Sequence, residues 1–329
     1  MSALRHAMRT NDTMNKIALA IHGGCGVMAK LDLTADEWAA ARADLARALK
    51  AGWSILSTGG SALDAVEAAV VVMEDSPHFN AGYGAALNTD GQHELDASIM
   101  DGRDLSAGAV TLVRRIRNPI RAARRVMEAG DAVLLGGPAA DSFAAASGLD
   151  IVQPDHFTTE RRTKALAAMK AHAAAGTAAK ASEAEKHGTV GAVALDAEGN
   201  LAAATSTGGY NNKPAGRIGD TPIPGAGTYA RNGVCAVSGT GKGEYFIRYA
   251  VGHEIASRMV YLEENVEAAA TKVIHDDLTP HRIGAGLVAV GADGSIAAPY
   301  NTDGMFRGWV TADGKAFVGS HAEVFEVSL

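Results

Sequence analysis

Apolar and polar positions change their period several times along the 329 residues. Lys16–His22 is a short apolar run, the length of a buried strand, and Gly23-Gly24-Cys25-Gly26 ends it. Thr34 and Glu37 form a capping box, with the threonine at N-cap and the glutamate three residues on. The helix it opens carries apolar residues at Trp38, Leu45, Leu49, Trp53 and Leu56 and stops before Gly59-Gly60. Ser61 caps a second helix, rich in Ala and Val, that runs to about Glu74. A compact loop follows through Tyr83-Gly84, then His93–Gly102 as strand and turn and Ala107–Val113 as strand. Asn118-Pro119 starts a basic helix with Arg121, Arg124 and Arg125, which the overall acidity assigns to a solvated face. Ala132–Leu135 is a strand, and Ala139–Ala146 a short helix.

From about Pro154 to Gly188 the composition shifts to Ala, Lys, Glu, Thr and His, with Val and Ile absent after Pro154. Such a segment has helix propensity but little to bury, so it is expected to be an exposed, mobile linker and a site for a cut. After Thr189 the pattern turns to strands. Val190–Leu195 and Leu201–Thr205 flank Asp196–Asn200, and Gly286–Val290 and Ile296–Ala298 flank Asp293-Gly294, two hairpin signals. Tyr245–Tyr261 and Val266–Ile274 read as helices. The content is α+β, with helices on both faces of a two-sheet core and no internal repeat.

Composition narrows the functional classes. Hydrophobic residues at 47% and charged residues at 20% describe a globular chain. With 38 glycines and 5% aromatics, the core is built from Ala, Val, Leu and Ile around tight turns. A net charge of −7 argues against nucleic acid or an anionic membrane as the main partner. No apolar run reaches about 18 residues, so no membrane span is expected. Two cysteines, Cys25 and Cys235, point to a reducing cytoplasm rather than a disulfide framework. Met1–Met14 lacks the apolar centre of a signal peptide and reads as a disordered tail, with Met14 a possible start.

Candidate chemistry gathers at three Thr-Gly clusters. One is His187-Gly188-Thr189-Val190-Gly191, at the head of a strand; the others are Thr205–Gly209 and Ser238–Glu244. A threonine hydroxyl needs a base close by to attack an amide. A cut at Gly188-Thr189 supplies one: the freed α-amine, with an unperturbed pKa of about 7.7–8.0, is partly neutral near pH 7. Such a scheme calls for hydroxyls around Thr189 and an oxyanion hole in a glycine-rich turn, for which Thr207 and Thr240-Gly241 are suited. The Gly23–Gly26 turn lacks the Lys-Ser/Thr of a phosphate loop. His93, Glu94 and Asp96 could pass for metal ligands, but their alternation suits a half-buried strand better.

Eight motifs in order give the chain a resemblance to the plant-type L-asparaginase/isoaspartyl peptidase family of N-terminal-nucleophile hydrolases. They are Ile21–Gly24, Phe79–Gly82, His93–Ala97, His187–Gly191, Thr205–Gly209, Gly216–Asp220, Thr240–Glu244 and Asn301–Met305. The resemblance implies a four-layer αββα sandwich, cut into residues 1–188 and 189–329. It implies Thr189 as nucleophile freed at Gly188, Thr207 as its hydrogen-bonding partner, and Thr240 and Gly241 as oxyanion hole. Arg217 would clamp the substrate α-carboxylate, Asp220 would hold its α-amino group, Gly243 would contact that amine through its carbonyl, and Asn80 would lie near the site. An Arg fork suits a carboxylate and an Asp suits an ammonium. The loop carbonyls of Met73, Glu74, Ser76, Phe79, Ala81 and Tyr83 would hold a structural sodium ion, and catalysis would need no cofactor. Substrates would be L-asparagine and β-aspartyl dipeptides, and the assembly a homodimer of cleaved heterodimers. A glycosylasparaginase-like amidase and a non-catalytic nucleotide-binding protein are the rival readings. Lys242 departs from the pattern, since some relatives carry a small threonine there, and it leaves the leaving-group preference open.

Overall fold

The computed structural model describes residues 17–26, 34–176, 188–311 and 313–329. The expected tail Met1–Met14, His187 and the stretch 177–187 of the expected linker lie outside the described residues. Two sheets carry the architecture. In spatial order the larger runs β13 (Val324–Val327), β12 (Ala316–Gly319), β11 (Met305–Val310), β1 (Ala18–Cys25), β5 (Val190–Leu195), β6 (Leu201–Thr207), β2 (Leu95–Asp101), β3 (Ala107–Val113) and β4 (Leu134–Gly136). Its neighbours are antiparallel except β3 and β4. The smaller is antiparallel, in the order β10 (Ile296–Ala297), β9 (Ala285–Gly291), β8 (Cys235–Gly241) and β7 (Thr228–Arg231).

The strand at the centre of the large sheet explains its own sequence. β5 lies between β1 and β6 and is buried throughout, so it reads as a continuous apolar run instead of alternating. Val190, Ala192 and Ala194 face one core with Leu45, Leu49 and Leu56 of helix α1 (Ala35–Leu56) and Val66 and Val70 of helix α2 (Ala62–Glu74). Val193 and Leu195 face the other core, with Val237, Leu287 and Val288 of the smaller sheet. Ile255 of one helix (Val251–Tyr261) and Ala269 of the next (Val266–Lys272) join that second core. Small alanines along β6 (Ala202, Ala203, Ala204) allow close packing on both faces. Among the described residues no helix is long and apolar enough to cross a membrane.

Local signals in the sequence formed the elements they predicted at several points. Thr34 accepts from Glu37 N, and Glu37 Oε2 accepts from Thr34 N at 2.7 Å, closing the capping box. Both hairpins pair in register, Val190 with Ser206 through Leu195 with Leu201, and Ile296 with Val290. Three differences have identifiable causes. β1 continues through Cys25, because a register shift between His22 and Gly24 lets Gly24 and Cys25 pair with Phe306 and Met305 of β11. The expected single helix Tyr245–Tyr261 breaks at Ala250, in a left-handed conformation, where the next turn donates from Gly252 N and His253 N to the carbonyls of Ala226 and Gly225. The first part of the expected linker buries more than its composition suggested. Pro154–Phe157 forms a 3-10 turn and Glu160–Ala174 a helix, anchored by buried Phe157, Arg162 and Leu166. One aromatic, missed amid the alanines, gave this stretch something to bury.

Candidate active site

Thr189 stands at the head of β5 and is buried, at 7% exposure. Its Oγ1 lies 2.7 Å from the carbonyl oxygen of Gly188 and 3.1 Å from Thr207 Oγ1. Thr207 ends the adjacent strand β6, and its hydroxyl is 3.0 Å from the same Gly188 oxygen. Asn80 Nδ2 donates to that oxygen as well, at 2.9 Å, and to Gly209 O at 2.5 Å. The Asn80 amide is oriented by its other end, where Oδ1 accepts from Ala86 N at 2.7 Å. Gly209 N donates to Thr207 Oγ1 at 3.0 Å. Thus Thr189, Thr207 and Asn80, drawn from three stretches of the chain, converge on the Gly188 carbonyl. Gly24 closes this group from above: with φ of +107° its Cα sits so close that a β-carbon would lie 3.0 Å from Gly188 Cα.

Thr240 is fully buried at the end of β8, and its Oγ1 accepts from Cys25 N at 3.3 Å. That bond leaves the threonine proton available for donation. A line of buried hydroxyls runs below, between the sheets. His22 Nε2 meets Ser238 Oγ at 2.9 Å, Ser238 meets Thr205 at 2.7 Å, Thr228 donates to Thr205 at 2.6 Å and Ser98 to Thr228 at 2.7 Å. Burial lowers the His22 pKa to about 3, so the ring is neutral, and its Nδ1 has no hydrogen-bond partner among the described residues. His22, Thr205 and Ser238 fell inside sequence motifs without being given a role, and Ser98 and Thr228 fell outside them. The signal was present, since Thr205 and Thr207, and Ser238 and Thr240, are spaced two apart on strands and so share a face.

Arg217, Asp220 and Gly243 form a second group. A β-carbon on Gly243 would lie 2.6 Å from Asp220 Oδ1 and 3.0 Å from an Arg217 terminal nitrogen, so both side chains reach the same backbone position. Asp220 is buried, and its Oδ2 has no hydrogen-bond partner among the described residues. Burial pushes its pKa up to about 7, against the pull of Arg217. Arg217 Nε donates to Glu244 Oε1 at 3.0 Å, which leaves its terminal fork for another carboxylate, and its guanidinium lies 4.8 Å from the Tyr210 ring centre. Burial would raise the Glu244 pKa, but the bond and charge of Arg217 prevail and bring it down to about 2. Lys242 turns to this side too, 3.5 Å from Glu244 Oε2 and 4.9 Å from the Tyr210 ring centre.

His93, Glu94 and Asp96 diverge. His93 bonds Ala86 O and Thr158 Oγ1, Glu94 pairs with Arg114 at 2.7 Å, and Asp96 accepts from Thr111 Oγ1 and Leu112 N. Among the described residues no three His, Cys, Asp or Glu side chains are grouped to hold a metal. Glu94 instead anchors the second group: its Oε2 accepts from Gly216 N at 3.0 Å, and its carbonyl accepts from the buried Lys213 Nζ at 2.7 Å. At the C-terminal end of α2, Glu74 turns its side chain inward to Ser206 Oγ and Ile120 N, and burial raises its pKa to about 8. Met73 O accepts from Ser76 N and Glu74 O from Tyr83 N. Among the described residues no backbone donor reaches the carbonyls of Ser76, Phe79, Ala81 and Tyr83.

One carbonyl gripped by two hydroxyls and an amide, with buried Asp220 and half-buried Arg217 gathered at Gly243, is a site equipped for amide chemistry on a charged small molecule. Comparison with known proteins gives the lineage. The asparaginase family matches residues 15–319. An isoaspartyl peptidase of Escherichia coli is 43% identical over 313 residues, covering 94% of this chain and 98% of its own. The isoaspartyl peptidase of Salmonella typhimurium is 44% identical over 94% of this chain and its full length. The human isoaspartyl peptidase/L-asparaginase is 42% identical over 93% of this chain and 96% of its own. The chain belongs to the asparaginase family.

Proposed function

We propose that this protein is an amidohydrolase that cleaves L-asparagine and β-aspartyl dipeptides, with Thr189 as nucleophile after self-cleavage into residues 1–188 and 189–329. The names of its relatives support the activity. The observation that carries the residue assignment is the Thr189 hydroxyl 2.7 Å from the Gly188 oxygen, with Asn80 and Thr207 on that same oxygen. In self-cleavage, Thr189 Oγ1 attacks the Gly188 carbonyl carbon. Asn80 Nδ2 and the Thr207 hydroxyl stabilise the oxyanion. The C–N bond breaks to leave an ester, the Thr189 amine takes the proton, and water releases Gly188.

The freed amine then acts as base for the Thr189 hydroxyl. Attack on the substrate's side-chain amide carbon places the oxyanion at Thr240 and Gly241. The leaving amine takes the proton as the C–N bond breaks, and water hydrolyses the aspartyl ester. Arg217 holds the substrate α-carboxylate, while Asp220 and the Gly243 carbonyl hold its α-ammonium. An incoming ammonium supplies what the buried Asp220 oxygen lacks. Carboxylate and ammonium on one carbon direct the side-chain carbonyl, not an α-peptide bond, to Thr189.

The remaining assignments follow the same reading. The loop carbonyls of Met73, Glu74, Ser76, Phe79, Ala81 and Tyr83 would hold a sodium ion. Support comes from the four carbonyls among them that no described backbone donor reaches, since buried carbonyls need a partner. The ion would brace the loop that carries Asn80 and take no part in the reaction, and catalysis needs no cofactor. The two sheets with helices on either side are read as a four-layer αββα sandwich, the assembly as a dimer of cleaved heterodimers, and the compartment as cytoplasm. The deciding experiment is a denaturing gel of purified protein with N-terminal sequencing of the smaller band. The expected band begins at Thr189, and Thr189→Ala gives one uncut, inactive chain. A variant that matures at the same bond would overturn the nucleophile.

A further inference from the structure

Thr189 and Thr240 stand on different sheets. Thr189 heads β5 of the larger sheet, and Thr240 lies on β8 of the smaller one. The spacing between nucleophile and oxyanion hole is therefore a spacing between sheets. Apolar packing fills most of that interface, with Ala18, Ala20 and Val193 of one sheet clustered with Val237, Leu287 and Val288 of the other. Such packing is non-directional, whereas a hydrogen bond prescribes both distance and angle. A small set of hydrogen bonds crosses the interface close to the site.

Strand β1 contributes from two residues. His22 Nε2 meets Ser238 Oγ at 2.9 Å. Cys25 meets Thr240 twice: its N–H donates to Thr240 Oγ1 and its thiol to the Thr240 carbonyl, both at 3.3 Å. The side chain and the backbone of Thr240 are thereby both held from β1. In a regular strand, residues three apart point to opposite faces. The register shift between His22 and Gly24 turns Cys25 back to the face of His22, so the two reach β8 at positions two apart. On the other flank of β5, strand β6 adds Thr205, 2.7 Å from the same Ser238 Oγ. The two neighbours of the nucleophile's strand thus hold one serine between them, and Gly191 of β5 makes the room. A β-carbon there would collide with Ser238 Oγ and lie 2.5 Å from His22 Nε2. This glycine is two residues past Thr189, so the His22–Ser238 bond passes against β5 close to the nucleophile.

We infer that His22 and Cys25 are positioning residues, which act through Ser238 and Thr240 to hold the oxyanion hole of the smaller sheet at its working distance from Thr189, an inference that rests on the hydrolase reading above. The two reactions of that reading use this brace differently. In self-cleavage the oxyanion falls to Asn80 and Thr207, which bond the Gly188 oxygen and do not belong to the smaller sheet. In substrate hydrolysis it falls to Thr240 and Gly241, across the interface. Loosening the brace therefore slows turnover and spares self-cleavage. The oxyanion exists only during reaction, so the loss falls on kcat and not on KM.

The test compares the two reactions in Cys25→Ala, Cys25→Val and Cys25→Ser. Self-cleavage is timed as loss of the uncut band after cell-free synthesis, and kcat and KM for L-asparagine are measured per matured chain. Removing the thiol's bond is expected to lower kcat about three- to tenfold in the alanine and valine variants, with KM and the self-cleavage rate held within about twofold. Cys25→Val fills the space that Cys25→Ala leaves, so agreement between the two separates a lost bond from a cavity. Cys25→Ser keeps a donor and should recover most of kcat. Ser238→Ala cuts the bonds to both His22 and Thr205 and should show the same split, with a larger loss in kcat. Unchanged kcat in Cys25→Ala and Ser238→Ala would overturn the brace. Self-cleavage slowed by the same factor as turnover, or a serine variant no better than the alanine one, would overturn it too. A wild type that neither matures nor hydrolyses L-asparagine would instead remove the hydrolase reading, and the brace with it.

Discussion

The two halves of the site are built from opposite materials. Around Thr189 stand hydroxyls, one amide and backbone groups, with no formal charge among Gly188, Thr207, Thr240 and Asn80, and a histidine that burial keeps neutral. Around Gly243 stand four ionisable side chains, Arg217, Lys242, Asp220 and Glu244. The difference separates two tasks. Oriented dipoles suit a place where charge develops only during reaction. Fixed charges suit a place where a ligand arrives already charged. A fixed charge beside Thr189 would shift the basicity of the amine on which the proposed chemistry depends.

The largest expected break in this division is Arg217→Ala. Losing a charge-assisted contact in a buried site should cost about 2–5 kcal/mol in kcat/KM for L-asparagine. Self-cleavage should persist, because the Gly188 carbonyl is held by Asn80 and Thr207 instead. Kinetics and gel together check it; a variant with wild-type kcat/KM, or one that no longer matures, would join the two halves again.

A second outcome sharpens the comparison through pH. Asp220 has a pKa raised to about 7, so below that pH it is neutral and attracts no ammonium. Binding of the product L-aspartate should weaken about tenfold for each unit below pH 7. The sign for folding is opposite. A raised carboxyl pKa favours the folded state most when the group is protonated in both states, and this contribution is lost as pH rises through 7. Inhibition constants for L-aspartate against pH provide the measurement. A constant that stays flat as pH falls through 7 would break the assignment of Asp220.

The smallest expected effect concerns the loop that carries Asn80. Replacing sodium by a large organic cation should lower Tm by about 2–4 °C for each kcal/mol of binding energy removed. A thermal scan in matched choline and sodium buffers would show it, and identical transitions would remove the ion from the reading of the loop.

Much of the fold was legible because its signals are local. A capping box needs four residues, and a hairpin needs a turn between two runs. What the linker buries and where the helix breaks at Ala250 were not legible, because both depend on partners distant in sequence. Phe157 packs into a core assembled from other elements, and Gly252 and His253 bond to carbonyls of a separate loop. The site residues were legible only as types and motifs. Glu94 read as a strand position or a ligand, and its work in holding Gly216 depends on a chain segment 122 residues away.

By itself the sequence determined the family, the period of each main element and the identity of the groups able to react. Those follow from side-chain chemistry and from spacings of two or four residues. Tertiary structure alone decided which of these groups meet. It brought Asn80 to the Gly188 carbonyl across 108 residues, turned Lys242 toward Glu244, and gathered Arg217 and Asp220 at Gly243. The physical reason is that direction and distance between side chains on different strands are set by sheet register and packing, which no short stretch of chain encodes.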